Sequence, residues 1–275
     1  MNVSFSKYQA TGNDFILIDG FTSGFSLTSK QITRLCDRHF GVGADGVIIA
    51  KPSDKANLFM DLINSDGSQA EMSGNGIRCL AAFAIDNELV KANVEEIFVD
   101  TRAGLKTIKV NDNKFKVDMG VPAFENSDIG FLAQEKIWNY PLRVNGNELK
   151  VYGVSMGNPH CIILTEQLEK TIVDKLGPLV ETHPLFKNKT NVEWVKVESD
   201  SKLSIEVWER GAGYTLACGT GACASFAAAN RLGLVKNQAS ISLPGGELEV
   251  ELQGSHLFLT GEAIKVYNGT IEVKE

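Results

Sequence analysis

Two tetrapeptides, Ser73-Gly74-Asn75-Gly76 and Cys218-Gly219-Thr220-Gly221, lie 145 residues apart, and the same offset pairs Gly12-Asn13 with Gly157-Asn158 and Asn64 with Glu209. An internal repeat this long is a duplicated domain rather than a solenoid unit, so a site drawing on both halves receives two similar groups from opposite sides. Such a pair suits a reaction that adds and removes a proton on opposite faces of one carbon. Cys218 stands directly before a helix, where the dipole and unsatisfied N–H groups lower a thiol pKa from about 8.5 toward roughly 3.5–7.5. The same amides can hold a carboxylate. Ser73 read alone is a helix N-cap, but the duplication puts it where the first half should present the partner of Cys218. Glu209, in a Glu-Arg-Gly-Ala-Gly loop ahead of the cysteine, is placed to receive or orient a proton, and Arg210 to fork onto a carboxylate.

These groups need a frame, and the chain reads as α/β (α+β), mostly strands with a few helices. Short runs of β-branched and aromatic residues between turn formers, from Ser4–Tyr8 to Lys114–Asp118 and from Val151–Val154 to Ser255–Thr260, predict strands in both halves. Thr28–His39 predicts a helix with Thr28 and Gln31 as a capping box and Gly41 as its stop, and Thr165–Leu176 predicts its counterpart. Helices over Gly76–Leu89 and Gly221–Leu232 follow the tetrapeptides. Their stretches Cys79–Ile85 and Ala222–Ala229 are small or apolar almost all round, the mark of a buried helix. Each half therefore predicts a barrel-like, mostly antiparallel sheet around one central helix, with domains over 1–118 and 119–263.

Composition narrows the function. With 275 residues, 43% hydrophobic and 22% charged, the chain can bury one large core or two smaller ones. Its net charge is −7, without a basic stripe that could follow a phosphate backbone, which argues against nucleic acid as a partner. The N-terminal segment Met1–Lys7 lacks the apolar core of a secretory signal and no apolar run spans a bilayer, so a cytoplasmic protein without a membrane partner is expected. Cys36, Cys79, Cys161, Cys218 and Cys223 are odd in number and form no CxxC pair, against a disulfide framework or thiolate zinc site. All but Cys218 read as small buried hydrophobes. His39, His160, His183 and His256 show no metal-ligand spacing, so no metal is expected. Gly41-Val42-Gly43-Ala44-Asp45-Gly46 matches GxGxxG, but a helix precedes it and a strand follows. That is the reverse of a dinucleotide site, and it reads as a turn into a strand.

Taken together, Gly12-Asn13-Asp14-Phe15, Asn64-Ser65-Asp66-Gly67-Ser68, Gly74-Asn75-Gly76, Gly157-Asn158-Pro159-His160-Cys161, Thr190-Asn191-Val192, Glu209-Arg210-Gly211-Ala212-Gly213 and Ala217-Cys218-Gly219-Thr220-Gly221 closely resemble diaminopimelate epimerases. The resemblance implies a cofactor-independent, metal-free epimerase of LL- and meso-diaminopimelate in lysine and peptidoglycan precursor synthesis, usually a homodimer. It implies two pseudo-symmetric domains, with the last strand, 264–275, returning to the first. By position, Cys218 matches one catalytic thiol, and Glu209 and His160 match groups that assist the thiols. Gly74, Asn75, Gly219 and Thr220 match amides that hold the reacting carboxylate. Asn13, Asn64, Asn158, Asn191 and Arg210 match residues that read the substrate. Ser73 departs from the pattern, which has a second catalytic cysteine there. Three readings stay open: an engineered variant, a natural epimerase with a slower acid, or a relative exchanging protons from the Cys218 side only. A proline or hydroxyproline racemase-like isomerase or dehydratase on the same scaffold, and a substrate-binding relative with impaired catalysis, are the competing functions.

Overall fold

A computed structural model describes residues 1–21 and 25–273. The chain divides into two compact units, Met1–Asp118 with Thr260–Glu275, and Met119–Leu259. In chain order the elements are β1 (Asn2–Ala10), β2 (Asn13–Asp19), α1 (Ser29–Cys36), β3 (Gly46–Lys51), β4 (Leu58–Asn64), α2 (Gly74–Asp86), β5 (Glu96–Thr101), β6 (Gly104–Asn111) and β7 (Lys114–Gly120). There follow α3 (Asn126–Ile129), β8 (Trp138–Val144), β9 (Asn147–Ser155), β10 (Pro159–Leu164), α4 (Lys170–Glu181), β11 (Asn191–Ser199), β12 (Lys202–Glu209) and β13 (Gly213–Thr215). The chain ends with α5 (Gly219–Arg231), β14 (Gln238–Leu243), β15 (Gly246–Gln253), β16 (His256–Glu262) and β17 (Ile264–Glu272). Of the expected last segment, residues 274 and 275 lie outside the described residues.

The duplication is visible in strand pairing. In the first unit β1–β2 is antiparallel, β2–β3 parallel, β3–β4 antiparallel, β4–β5 parallel and β5–β6 antiparallel. In the second unit β9–β10, β10–β11, β11–β12, β12–β14 and β14–β15 repeat that alternation. β17 lies antiparallel on β1, with Val3 opposite Ile271.

Each sheet wraps one helix. α2 packs against β1, β2, β3, β4 and β17, and α5 against β9, β10, β11, β12, β14 and β15. Every residue of α2 from Gly74 to Ala84 is buried, as is every residue of α5 from Gly221 to Ala229. Alanines at Ala81, Ala82, Ala84, Ala222, Ala224 and Ala227 to Ala229 leave room for strands on all sides, so propensity and packing favour the same structure. The sheets wrap their helices without closing; in the first unit the ladder runs from β17 through β1 to β7.

Three local expectations change. The helix predicted over Thr165–Leu176 runs from Lys170 to Glu181 instead. Thr165 holds the N–H and C=O of Gln167 in a side-chain turn, which delays the start, and the helix continues through Gly177 and Pro178. Gly177 is there because a Cβ would sit 2.7 Å from the Trp208 ring. α1 keeps its capping box at Thr28 but ends at Cys36, where Asp37 accepts from the His39 and Phe40 N–H groups, both at 2.8 Å. Strand β8 escaped the sequence reading because Pro141 interrupts it. Its residues pair with β9, Pro141 opposite Lys150.

Candidate active site

The chemistry-bearing residues of the second unit are brought to one face by the period of two along its strands. In the parallel β10–β11 ladder His160 pairs with Asn191 and Ile162 with Glu193, and across the antiparallel ladder Glu193 pairs with Val207 of β12. Glu209, two residues beyond Val207, shares that face, which packs on α5 through Ile162, Val195 and Val207. Cys161 points the other way, into a cluster with Val192, Trp194 and Val173 of α4. Burial pushes its thiol well above the usual range, helped by the charge of Glu193, as befits an inert core cysteine.

At the start of α5, Cys218 is the N-cap and its sulfur accepts from the Gly221 N–H at 3.3 Å. The first intrahelical bond, from Ala222 N–H to the Cys218 carbonyl, leaves the Gly219 and Thr220 amides ahead of it to meet an anion. Thr220 Oγ1 lies 3.4 Å from the Cys218 sulfur and accepts from Asn158 Nδ2 at 3.4 Å. Asn158 Oδ1 lies 3.1 Å from His160 Nε2, and His160 Nδ1 lies 2.7 Å from Glu193 Oε1. Asn191 accepts the Arg210 N–H at 2.9 Å and donates to the Pro159 carbonyl at 2.9 Å, fixing the loop that carries Glu209 and Arg210.

The thiol is not the acidic group that the helix start alone predicts. Burial raises the Cys218 pKa well above the ordinary value, the charges of Glu209 and Glu193 raise it further, and hydrogen bonds from Thr220 and Gly221 oppose this without cancelling it. Desolvation likewise raises Glu209, against the polar groups of Thr215 and Cys218 beside it, with the Glu193 charge adding to the rise and His160 opposing it. A protonated thiol beside a carboxylate that can itself take a proton is a pair through which one proton moves either way.

In the first unit Ser73 is the N-cap of α2, and its Oγ accepts from the Gly76 N–H at 3.0 Å. Asn75 Nδ2 donates to Asn13 Oδ1 at 3.3 Å, the counterpart, by the 145-residue offset, of the bond between Asn158 and Thr220. Asp45 in turn accepts from Asn13 Nδ2 at 2.6 Å, and the neighbouring Asp14 is bonded to Lys7 and Arg38. Burial alone would raise Asp14; the hydrogen bonds from Arg38 and Lys7 outweigh it and lower its pKa to about 2. Asn64, at the end of β4, is exposed and its amide donates to Ser68 Oγ at 3.0 Å. The halves differ in their titratable groups. Where the second unit has His160, Glu193 and Glu209, the same offset gives Phe15, Ile48 and Asn64.

Sequence reasoning missed three supports. Arg78, wholly buried, donates to the Gly74 carbonyl at 2.9 Å and to Asn75 Oδ1 at 2.7 Å, setting the direction of the Asn75 amide. Glu193 was legible only as a charge in the apolar run Asn191-Val192-Glu193-Trp194-Val195. Glu181, the last residue of α4, accepts from the Trp208 indole at 2.8 Å, the Gly211 N–H at 3.0 Å and Lys189 at 3.1 Å, bracing the Arg210 loop from below. Glu181→Ala is expected to raise KM more than it lowers kcat, and to cost about 0.5–1.5 kcal/mol for the lost bond from the half-buried Trp208 indole, read by steady-state kinetics and urea unfolding.

Among the described residues, no group of three or more His, Cys, Asp or Glu is arranged to hold a metal ion, and no helix is long and apolar enough to cross a membrane. Two solved structures share the fold. A PhzF-family phenazine biosynthesis protein from Bacillus anthracis superposes with a TM-score of 0.74 at 15% identity, over 99% of this chain and 100% of that one. A hydroxyproline epimerase from Agrobacterium vitis gives 0.69 at 14% identity, over 100% and 93%. At such identities the likeness extends to the fold alone. Sequence relatives are nearer. The diaminopimelate epimerase of Synechocystis sp. is 46% identical over 281 residues, covering 99% of this chain and 100% of its own. That of Halothermothrix orenii is 42% identical over 285 residues, with both covered in full. The profile of the same family matches residues 5–125 and 152–266. Matched over most of its length and by full-length relatives, the chain belongs to the diaminopimelate epimerase family, isomerases that act without a cofactor.

Proposed function

We propose that this chain interconverts LL- and meso-diaminopimelate by proton transfer at the α-carbon, with Cys218 serving one face and Ser73 the other. The observation that carries the reading is the pair of helix starts 145 residues apart, each capped by the side chain in question. Among the described residues, the cysteine has a carboxylate beside it, that of Glu209. On its face Glu209 takes the thiol proton as the sulfur abstracts the α-proton, and returns it when the sulfur has delivered its own. Within each unit the helix-start amides, Gly74 and Asn75 in the first and Gly219 and Thr220 in the second, are donors suited to the substrate carboxylate through which a developing carbanion is stabilised. Asn13, Asn64, Asn158, Asn191 and Arg210 read the rest of the substrate, His160 supports the thiol side, and the two compact units are the two domains of the duplication. A homodimer in the cytoplasm completes the proposal. Exposed Ile264, Val266 and Tyr267 on β17 are consistent with a covered face in that dimer.

Solvent-deuterium incorporation tests it. Each stereoisomer incubated in D2O is expected to gain deuterium at the α-carbon, faster from the isomer whose proton Cys218 removes. Incorporation from neither isomer would remove the catalytic claim.

A further inference from the structure

Four contacts join the Cys218 sulfur, through Thr220, Asn158 and His160, to the carboxylate of Glu193, and both His160 and Glu193 are wholly buried. Such a chain has a direction, because an amide donates at one end and accepts at the other, and a hydroxyl has one proton to give. With Asn158 Nδ2 turned to Thr220, the Thr220 oxygen accepts, its proton is left for the sulfur, and the arrangement suits a thiolate. Asn158 Oδ1 then requires an N–H at His160 Nε2. Turned the other way, Asn158 takes the Thr220 proton, the Thr220 oxygen accepts S–H from the thiol, and Nε2 must be bare.

We propose that Glu193 is a positioning residue that selects the first direction: its carboxylate accepts from His160 Nδ1 and holds the ring so that Nε2–H donates to Asn158 Oδ1, which turns the Asn158 amide to Thr220 and so aims the Thr220 hydroxyl at the Cys218 sulfur. The fold shows that packing does not require this glutamate. At the equivalent place in the first unit stands Ile48, also wholly buried, so an aliphatic side chain fills the same register position. The structure instead accommodates the carboxylate. Gly221 lacks a Cβ that would lie 2.7 Å from Glu193 Oε1, which lets α5 close over it, and Glu193 Oε2 is buried without a hydrogen-bond partner. A buried orphan acceptor is costly, and a charge-assisted bond to His160 is the compensation on view. The groups facing the thiol and ring are Glu209 from β12, Glu193 from β11 and His160 from β10. The first two turns of α5 bring no charged side chain, and Cys161 faces away.

The inference rests on Cys218 as the reacting thiol, but its test does not need turnover. Nitrogen NMR of the His160 ring in the intact protein is expected to show an N–H at each nitrogen, as the acceptors Glu193 Oε1 and Asn158 Oδ1 require. Alkylation of Cys218 by iodoacetamide, located by peptide mass spectrometry, is expected to be about tenfold slower at fixed pH in Glu193→Gln, one unit of thiol ionisation. The opposite sign follows if Glu193 acts only through its own charge, since removing a carboxylate near a thiol leaves more thiolate. In the His160→Gln background the Glu193→Gln change is expected to slow alkylation no further. A bare Nε2 in the wild type, or alkylation that is unchanged or faster in Glu193→Gln, overturns the proposal. Should Glu193→Gln fail to fold, the wild-type His160 spectrum decides alone. Because neither readout requires epimerisation, failure here is distinguishable from failure of the epimerase reading.

Discussion

Ser73→Cys is expected to raise kcat for diaminopimelate epimerisation by about 10²–10⁴-fold, the range that a matched acid–base group contributes. The physical case rests on what surrounds each helix start. A hydroxyl ionises far less readily than a thiol and ordinarily needs a strong base beside it. In the second unit the base proposed above is Glu209; the equivalent residue of the first unit is Asn64, an amide, which is exposed and bonded to Ser68. The backbone already suits the exchange. Ser73 and Cys218 have nearly the same extended geometry, φ −137° and ψ 126° against φ −129° and ψ 113°, and both accept from the N–H three residues on. A thiol at position 73 therefore enters a place shaped like the one Cys218 occupies. The assay is the initial rate of meso product from the LL isomer, with calorimetry to show that substrate affinity is unchanged within a few-fold. An unchanged kcat would show that the serine is already competent.

The second large effect is expected at Cys218. Cys218→Ala should lower kcat by about 10²–10⁴-fold and abolish deuterium exchange on the face that the thiol serves, while the Gly219 and Thr220 amides continue to hold the substrate carboxylate. Losing the cap to the Gly221 N–H costs about 0.5–2 kcal/mol of stability, small enough for the variant to remain folded. Exchange that persists on both faces in the alanine variant would exclude Cys218 as a proton-transfer group. The pair of variants also reads the asymmetry between the halves. If Ser73 limits turnover, Ser73→Cys changes kcat with little effect on exchange at the Cys218 face, whereas Cys218→Ala eliminates exchange there.

Much of this was legible in the chain because it is written twice. The 145-residue offset, the glycines after Ser73 and Cys218, and the small residues that follow fix a buried helix in each half, and both helices begin at the residue after the cap. Local signals of this kind survive folding because they act within a turn or two of the chain: a side-chain cap, a glycine, a run of alanines. The helix ending at Glu181 was misplaced because Gly177 and Pro178 look like breakers. A helix packed on Trp208 tolerates both, and the reason for the glycine lies 31 residues away.

By itself, then, the sequence determined the family, the duplication and the identity of the two helix-start groups, Ser73 and Cys218. The tertiary structure decided their chemistry. It buried Cys218 beside Glu209 and Glu193, turning the acidic thiol expected at a helix start into one held protonated. It also put His160 against Glu193, and left Phe15, Ile48 and Asn64 at the matching places of the other half. A pKa depends on burial and on charges that strand pairing brings together from β10, β11 and β12, and no spacing along one chain encodes that distance in advance.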